Sequence, residues 1–433
     1  MSYGVYVTRV KNIRPAENAD RLNLCDVFGN TVVVGKDVNE KDLYIYFPTD
    51  GQISKEFGEM HDLFRRKDEN GKPCGGFIDP NKRTIQAIRL RGNKSDGLLM
   101  PLKALEPFGD ISGLKEGDRV EVFNGHEIAR KYIPPVKHRV DVAAQTAQKK
   151  GKENHLSPQF AEHSNTSQLA YNLHNFAPGD EVEITLKLHG TSQRTGYLPV
   201  LTGFKRTFVD RLLRRPGTPI YEYQYISGTR RTVLESFEGG FYGSNKFREP
   251  HHNRFIGKLH KGETVYYEVV GYIERDIPIM PKGKNKKLGK DFVKKYGEET
   301  LFNYGCGIGQ SEIYVYRMTL TTEEGYVVEY PPHLVRLRCE QMGIKTPPVL
   351  DHFICPDLSG DALGEYVLRK AEEHYEGADP IGKTHIREGV VCRIVNREKF
   401  TALKHKNFEF KVLEGIIKEE ALEPDLEERE EYA

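Results

Sequence analysis

The chain has 433 residues, 64 Lys and Arg against 63 Asp and Glu, and no tryptophan. That length predicts two or three domains, and an apolar content of 38% excludes global disorder. A net charge of +1 argues against a uniformly basic coat but not against local patches, and no run reaches the ~18–20 apolar residues of a membrane span.

The opening, MSYGVYVTRVKNIRP, lacks an apolar signal core. The cysteines (Cys25, Cys74, Cys306, Cys339, Cys355 and Cys392) are scattered without a CxxC pair. Neither a zinc site nor a disulfide scaffold is expected, and the cytoplasm or another reducing intracellular compartment is.

Residues 1–130 read as β-rich. Tyr3-Gly-Val-Tyr-Val-Thr alternates, Thr31-Val-Val-Val and Leu43-Tyr-Ile-Tyr-Phe are short β-formers, and Thr84-Ile-Gln-Ala-Ile-Arg-Leu-Arg and Asp118-Arg-Val-Glu-Val-Phe complete the series. Turn pairs such as Gly29-Asn30, Asp50-Gly51 and Gly92-Asn93 separate them, a pattern of small barrels. Residues 131–164, with Pro134-Pro135 and a polar stretch after Val140, read as a linker or a loose helix. A second domain is expected over 165–415, with strands at Glu181-Val-Glu-Ile-Thr-Leu, Thr264-Val-Tyr-Tyr-Glu-Val-Val, Ile313-Tyr-Val-Tyr and Gly389-Val-Val-Cys-Arg-Ile-Val. Its clearest helix is Gly360 to Tyr375. Residues 416–433 read as an acidic tail, with eight acids and two bases after Lys418 is counted in.

The stretch with most chemistry is Leu186-Lys187-Leu188-His189-Gly190-Thr191, a lysine at the end of an alternating strand before a glycine turn. Alone it fits an ordinary surface lysine. Downstream, in order, come Ser227-Gly-Thr-Arg230-Arg231, Tyr267-Glu268-Val-Val-Gly271, Tyr314-Val-Tyr316-Arg317, Glu388-Gly-Val-Val-Cys-Arg393 and Leu403-Lys404-His405-Lys406. A lysine that acts as a nucleophile needs a neutral amine, and free lysine has pKa ~10.4, so neighbouring cations and desolvation must lower it. Lys404 and Lys406 are two apart and share one face of a strand.

Over about 180–412 the sequence resembles the covalent nucleotidyltransferase superfamily of ligases and capping enzymes. Position 189 is His where many members have Asp, a form similar to RNA ligases. The segment Ile13-Arg-Pro-Ala-Glu-Asn-Ala-Asp-Arg-Leu-Asn-Leu-Cys resembles the opening of tRNA-binding OB modules. The leading β-rich module, with Thr84 to Leu99, is similar to the Deinococcus-type RNA ligases, which carry an N-terminal OB domain and a C-terminal adenylyltransferase domain. Only 22 residues follow Lys411, and they are acidic, which argues against the trailing OB domain of DNA ligases and capping enzymes.

The resemblance implies an α+β fold: a small N-terminal β-barrel (OB-fold), then a nucleotidyltransferase domain of antiparallel sheets flanked by helices. It implies an ATP-dependent RNA ligase that seals 3′-OH/5′-phosphate nicks. AMP would be carried covalently on Lys187, with Lys404 and Lys406 on phosphates. Leu186, Arg230, Glu268 and Tyr316 would form the nucleotide pocket, Glu268 on the ribose and Tyr316 stacked on adenine. Glu388 and Glu268 are the candidate partners of Mg²⁺ or Mn²⁺. A carboxylate's metal role cannot pass to an imidazole, so His189 either contacts phosphate or packs at the turn. The alternatives are another polynucleotide ligase or capping-type enzyme, and a non-catalytic RNA-binding OB protein.

Lys282-Gly-Lys-Asn-Lys-Lys-Leu-Gly-Lys290 places five lysines in nine residues, and Arg206, Arg211, Arg214 and Arg215 form a second basic cluster. With Arg89, Arg91 and Lys94 of the leading module they suit a nicked RNA or RNA/DNA duplex. No membrane partner is expected, and a monomer is. Gly305-Cys-Gly307-Ile-Gly309 is glycine-rich but lacks the GxGxxG spacing of a dinucleotide site.

Overall fold

The computed structural model describes residues 3–133, 157–163, 166–213, 215–234, 236–238 and 245–420. Most of the expected linker, residue Arg214 and the tail after 420 lie outside them. The architecture is mixed α and β with many antiparallel sheets, arranged in two compact units. One comprises Met1–Pro134 with Lys406–Glu420, the other Pro135–His405 with Ala421–Ala433. No described helix is long and apolar enough to cross a membrane.

In the first unit, one three-stranded sheet joins Tyr6–Thr8, Tyr44–Phe47 and Leu98–Pro101, and another joins Lys11–Pro15, Leu22–Val27 and Asn30–Gly35. All these pairings are antiparallel. The run Asn30–Gly35 alternates buried and half-buried residues, as one covered face demands. Val5, Val7, Ile45, Phe47, Ile53, Phe57, Leu105 and Ile128 form the core. Phe57 enters it from the short helix Lys55–Met60, whose first turn is capped by the Ser54 hydroxyl accepting the Phe57 N–H at 3.1 Å.

The expected strand Asp118–Phe123 is shorter than its alternation suggests. Only Val122–Phe123 pairs, with His126–Glu127, while Arg119 makes a lone bridge to Tyr6.

This unit is completed by the last described helix, Phe408–Glu420. Asn407 starts it by accepting the N–H groups of Glu409 and Phe410, at 2.8 and 3.3 Å. Lys411 then reaches Asp96 (2.5 Å) and Asn30 (3.0 Å), and Lys418 reaches Asp50 (3.0 Å). The domain end expected at 415 therefore differs from the observed seam, which falls between His405 and Lys406.

The second unit has two principal sheets. The five-stranded one runs Ser167–Gln168, Thr401–Lys406, Gly389–Ile394, Glu181–Lys187, Val349–Ile354. Helix Gly360–Tyr375, with the bounds the sequence predicts, covers it. Leu363, Val367 and Ala371 recur every four residues and pack with Val182, Ile184, Phe353, Val390 and Ile394. The seven-stranded sheet centres on Thr191–Lys205, Glu263–Glu274 and Ser311–Thr321. In Glu263–Glu274 the residues Val265, Tyr266, Tyr267, Val269 and Val270 are all fully buried, so both faces of this strand are covered.

Lys187 ends its strand in one sheet and Thr191 begins a strand of the other. The chain crosses between sheets in three residues.

Candidate active site

The crossing turn has little freedom. A Cβ on Gly190 would lie 2.3 Å from the Val269 carbonyl oxygen and 3.0 Å from Glu268 Cγ, so only glycine fits there. The Gly190 N–H donates to Glu268 Oε1 at 3.1 Å. The His189 N–H donates to the Tyr304 hydroxyl at 2.6 Å.

Register brings Lys187 opposite Gly389, which places Glu388 beside the lysine. Lys187 Nζ lies 2.9 Å from Glu388 Oε1, and the glutamate side chain is only 2% exposed. His189 Nδ1 is 3.7 Å from Glu388 Oε2, and its ring meets Phe302 edge-on at 4.7 Å.

On the seven-stranded sheet Glu268 pairs with Ser192 across the strands, and the Ser192 hydroxyl is 3.0 Å from that of Tyr316. Tyr316 occupies a β-bulge: Tyr266 pairs with Arg317 and Tyr267 with Val315, leaving Tyr316 as the extra residue. Its ring lies 5.0 Å from that of His163. His163 accepts from Arg317 Nη1 through Nδ1 at 3.3 Å, since guanidinium can only donate. Burial, then Arg317, Arg230 and Arg194, hold the His163 pKa well below the usual range, so the ring is neutral. Arg230 also gives its carbonyl to the His163 N–H, at 3.2 Å.

Leu186 faces the core, with its N–H donating to the Pro348 carbonyl at 3.0 Å. Lys404 pairs with Gln168 in the strand next to Gly389–Ile394. Lys404 and Lys406 alternate with the buried Leu403 and His405, as a strand requires. The Lys406 ammonium is held by both oxygens of Glu414, at 2.9 and 2.8 Å, within the first unit.

The structure brings Lys187, His189, Glu268 and Glu388 together around the turn. Sequence reasoning missed Tyr304, Ser192, His163 and Phe302, which lie on other strands or loops and carry no motif of their own.

The basic stretches differ in kind. Lys282, Lys284, Lys286, Lys287 and Lys290 are all exposed, while Gly283, Asn285 and Leu288 anchor the loop inward. Arg206 and Arg215 are exposed, and the Arg211 side chain lies outside the described residues. In the leading unit, by contrast, Arg89 and Lys94 both pair with Glu409 of the last helix.

No family model matches the chain, and no curated protein matches it. Among solved structures, a Naegleria gruberi RNA ligase mutant with ATP and Mn is similar at a TM-score of 0.56 and 15% identity, covering 96% of this chain and 99% of that one. The same ligase with PPi gives 0.56 and 15%, over 97% and 99%. An apo mutant described as R4a gives 0.57 and 17%, over 96% and 98%. The chain thus has the fold of an RNA ligase over nearly its whole described length.

Proposed function

We propose that this chain is an ATP-dependent RNA ligase that works through a lysyl-AMP intermediate. The observation that carries the reading is the Lys187–Glu388 pair at the sheet crossing, its carboxylate buried, with Glu268 fastened to the same turn. Support also comes from the similarity in fold to ligases solved with ATP and Mn or with PPi.

In the proposed first step the Lys187 amine attacks the α-phosphorus of ATP. An N–P bond forms and the bond to pyrophosphate breaks. The strand end and the glycine turn fix where Nζ points, and such positioning is a large part of phosphoryl-transfer catalysis. Glu268, held to the turn by the Gly190 N–H, would accept from the ribose. Tyr316 offers its ring to adenine. Lys404 would contact phosphate, and Lys406 would join it once released from Glu414.

Glu388 and Glu268 are hard oxygen donors of the kind Mg²⁺ and Mn²⁺ prefer, so these residues fit a divalent cation. Bound there, the ion would neutralise phosphate charge.

AMP would then pass to an RNA 5′-phosphate, and a 3′-OH would attack that phosphate, expel AMP and seal the strand. The exposed lysines of 282–290 and the arginines Arg206 and Arg215 supply cations for a nicked duplex. The leading unit would serve as an OB-type module on that duplex. A reducing intracellular setting suits the six free cysteines.

The test is incubation with Mg²⁺ and α-labelled ATP or GTP, followed by denaturing electrophoresis. Label from ATP that is lost in Lys187→Ala is expected. Label from GTP alone would point to capping chemistry, and no label from either would sink the enzyme reading.

A further inference from the structure

The glycine-rich segment around Gly305 has a marked geometry. Tyr304 adopts a left-handed backbone with φ 52°, which bulky residues rarely do, and Gly305 follows at φ 78°. The loop is pinned in that shape. Asn303 Oδ1 accepts the Gly305 N–H at 3.2 Å and the Thr384 hydroxyl at 3.0 Å, and the Asn303 carbonyl accepts the Cys306 N–H at 2.9 Å. From the other side Gly382 closes on it. A Cβ on Gly382 would be 2.4 Å from the Gly305 nitrogen and 2.7 Å from the Tyr304 carbonyl carbon.

The outcome of this strain is the placement of one hydroxyl. Tyr304 is 3% exposed, and its ring packs edge-on against the fully buried His385 at 4.6 Å. Its oxygen takes the His189 N–H at 2.6 Å, two residues after Lys187. Burial and the carboxylates Glu388, Asp379 and Glu268 push the phenol pKa well above its ordinary value, so it stays neutral. The turn is therefore gripped at successive N–H groups, His189 by Tyr304 and Gly190 by Glu268.

We propose that Tyr304 is a positioning residue for lysine adenylylation, holding the turn so that Lys187 meets the α-phosphorus. This rests on the ligase reading above. Tyr304 touches neither reacting atom; it acts through the backbone of His189.

The experiment separates the chemical steps in the full-length protein. Tyr304→Phe keeps the ring and removes the hydroxyl. Lysyl-AMP formation from α-labelled ATP is expected to slow by about tenfold to a hundredfold, with the ATP KM changed less than about threefold. Sealing of RNA carrying a preformed 5′-adenylate needs no attack by Lys187 and is expected to stay within about threefold of wild type. Gly382→Ala, which pushes the loop without touching the hydroxyl, is expected to show the same split. Equal losses in both steps for both variants would mean a merely structural role and overturn the proposal. So would an undiminished lysyl-AMP rate in Tyr304→Phe. Absence of label from the wild type would instead overturn the ligase reading itself.

Discussion

The Lys187–Glu388 pair makes an asymmetric prediction for stability. At 2.9 Å two unit charges attract by about 6 kcal/mol at an effective dielectric near 20, most of it offset by the water each charge gave up. The two partners are not equally buried: the lysine side chain is 21% exposed, the glutamate 2%. Lys187→Met leaves Glu388 as a buried carboxylate without its cation, which costs about 3 kcal/mol. Glu388→Gln leaves a lysine whose tip can turn to water, which costs about 1 kcal/mol. The double variant removes both charges and is expected within about 1 kcal/mol of wild type. Urea unfolding followed by tyrosine fluorescence reads this directly, because the chain has no tryptophan. Lys187→Met costing no more than Glu388→Gln, or a double variant as unstable as Lys187→Met, would refute the claim that the lysine is held by a buried counter-charge.

Gly190→Ala forces a Cβ to 2.3 Å from the Val269 oxygen, so lysyl-AMP formation should fall about a hundredfold while ATP still binds. Burial raises the Glu312 pKa, but Lys345, Arg254 and the Ile313 N–H outweigh it and bring it from 4.5 to about 2. A lowered carboxylate stabilises the fold above pH 4.5, and that stability, at most about 3 kcal/mol, is lost as pH falls toward 2. Glu312→Gln should flatten that acid limb in a melting series across pH; an unchanged limb would show that other groups set it. Replacing Lys284, Lys286 and Lys287 by glutamine should weaken binding to duplex RNA and make it less salt-dependent, leaving lysyl-AMP formation at wild-type rate. An unaltered salt slope in a filter-binding series would remove that loop from the RNA path.

Local patterns were legible where strands and helices carry them. The helix Gly360–Tyr375 and the strand ending at Lys187 appear with the bounds or within a residue of them. Glu268 and Glu388 could be picked out because each interrupts an otherwise apolar strand or opens one. Tyr304 could not. Its significance comes from a left-handed backbone and from Gly382, 78 residues later, neither of which leaves a periodic trace. Lys406 shows another limit. Spacing puts it on the same strand face as Lys404, but its flexible stem delivers the charge to Glu414 on the helix that follows. The same helix explains why Arg89 and Lys94 read as an open basic patch in the sequence: their partner Glu409 is far along the chain.

The last helix also bears on how the chain is made. The first unit's own strands end at Ala129–Lys131, but Phe408–Glu420 supplies its remaining face, so the second unit is in effect an insertion within the first. A ribosome adding about 5–20 residues per second needs roughly 15–55 s for the intervening ~270 residues. For that interval the nascent first unit waits with Asp50 and Asp96 lacking their lysines. The strands of the second unit are all made before the helix Phe408–Glu420, so the first unit closes only after them.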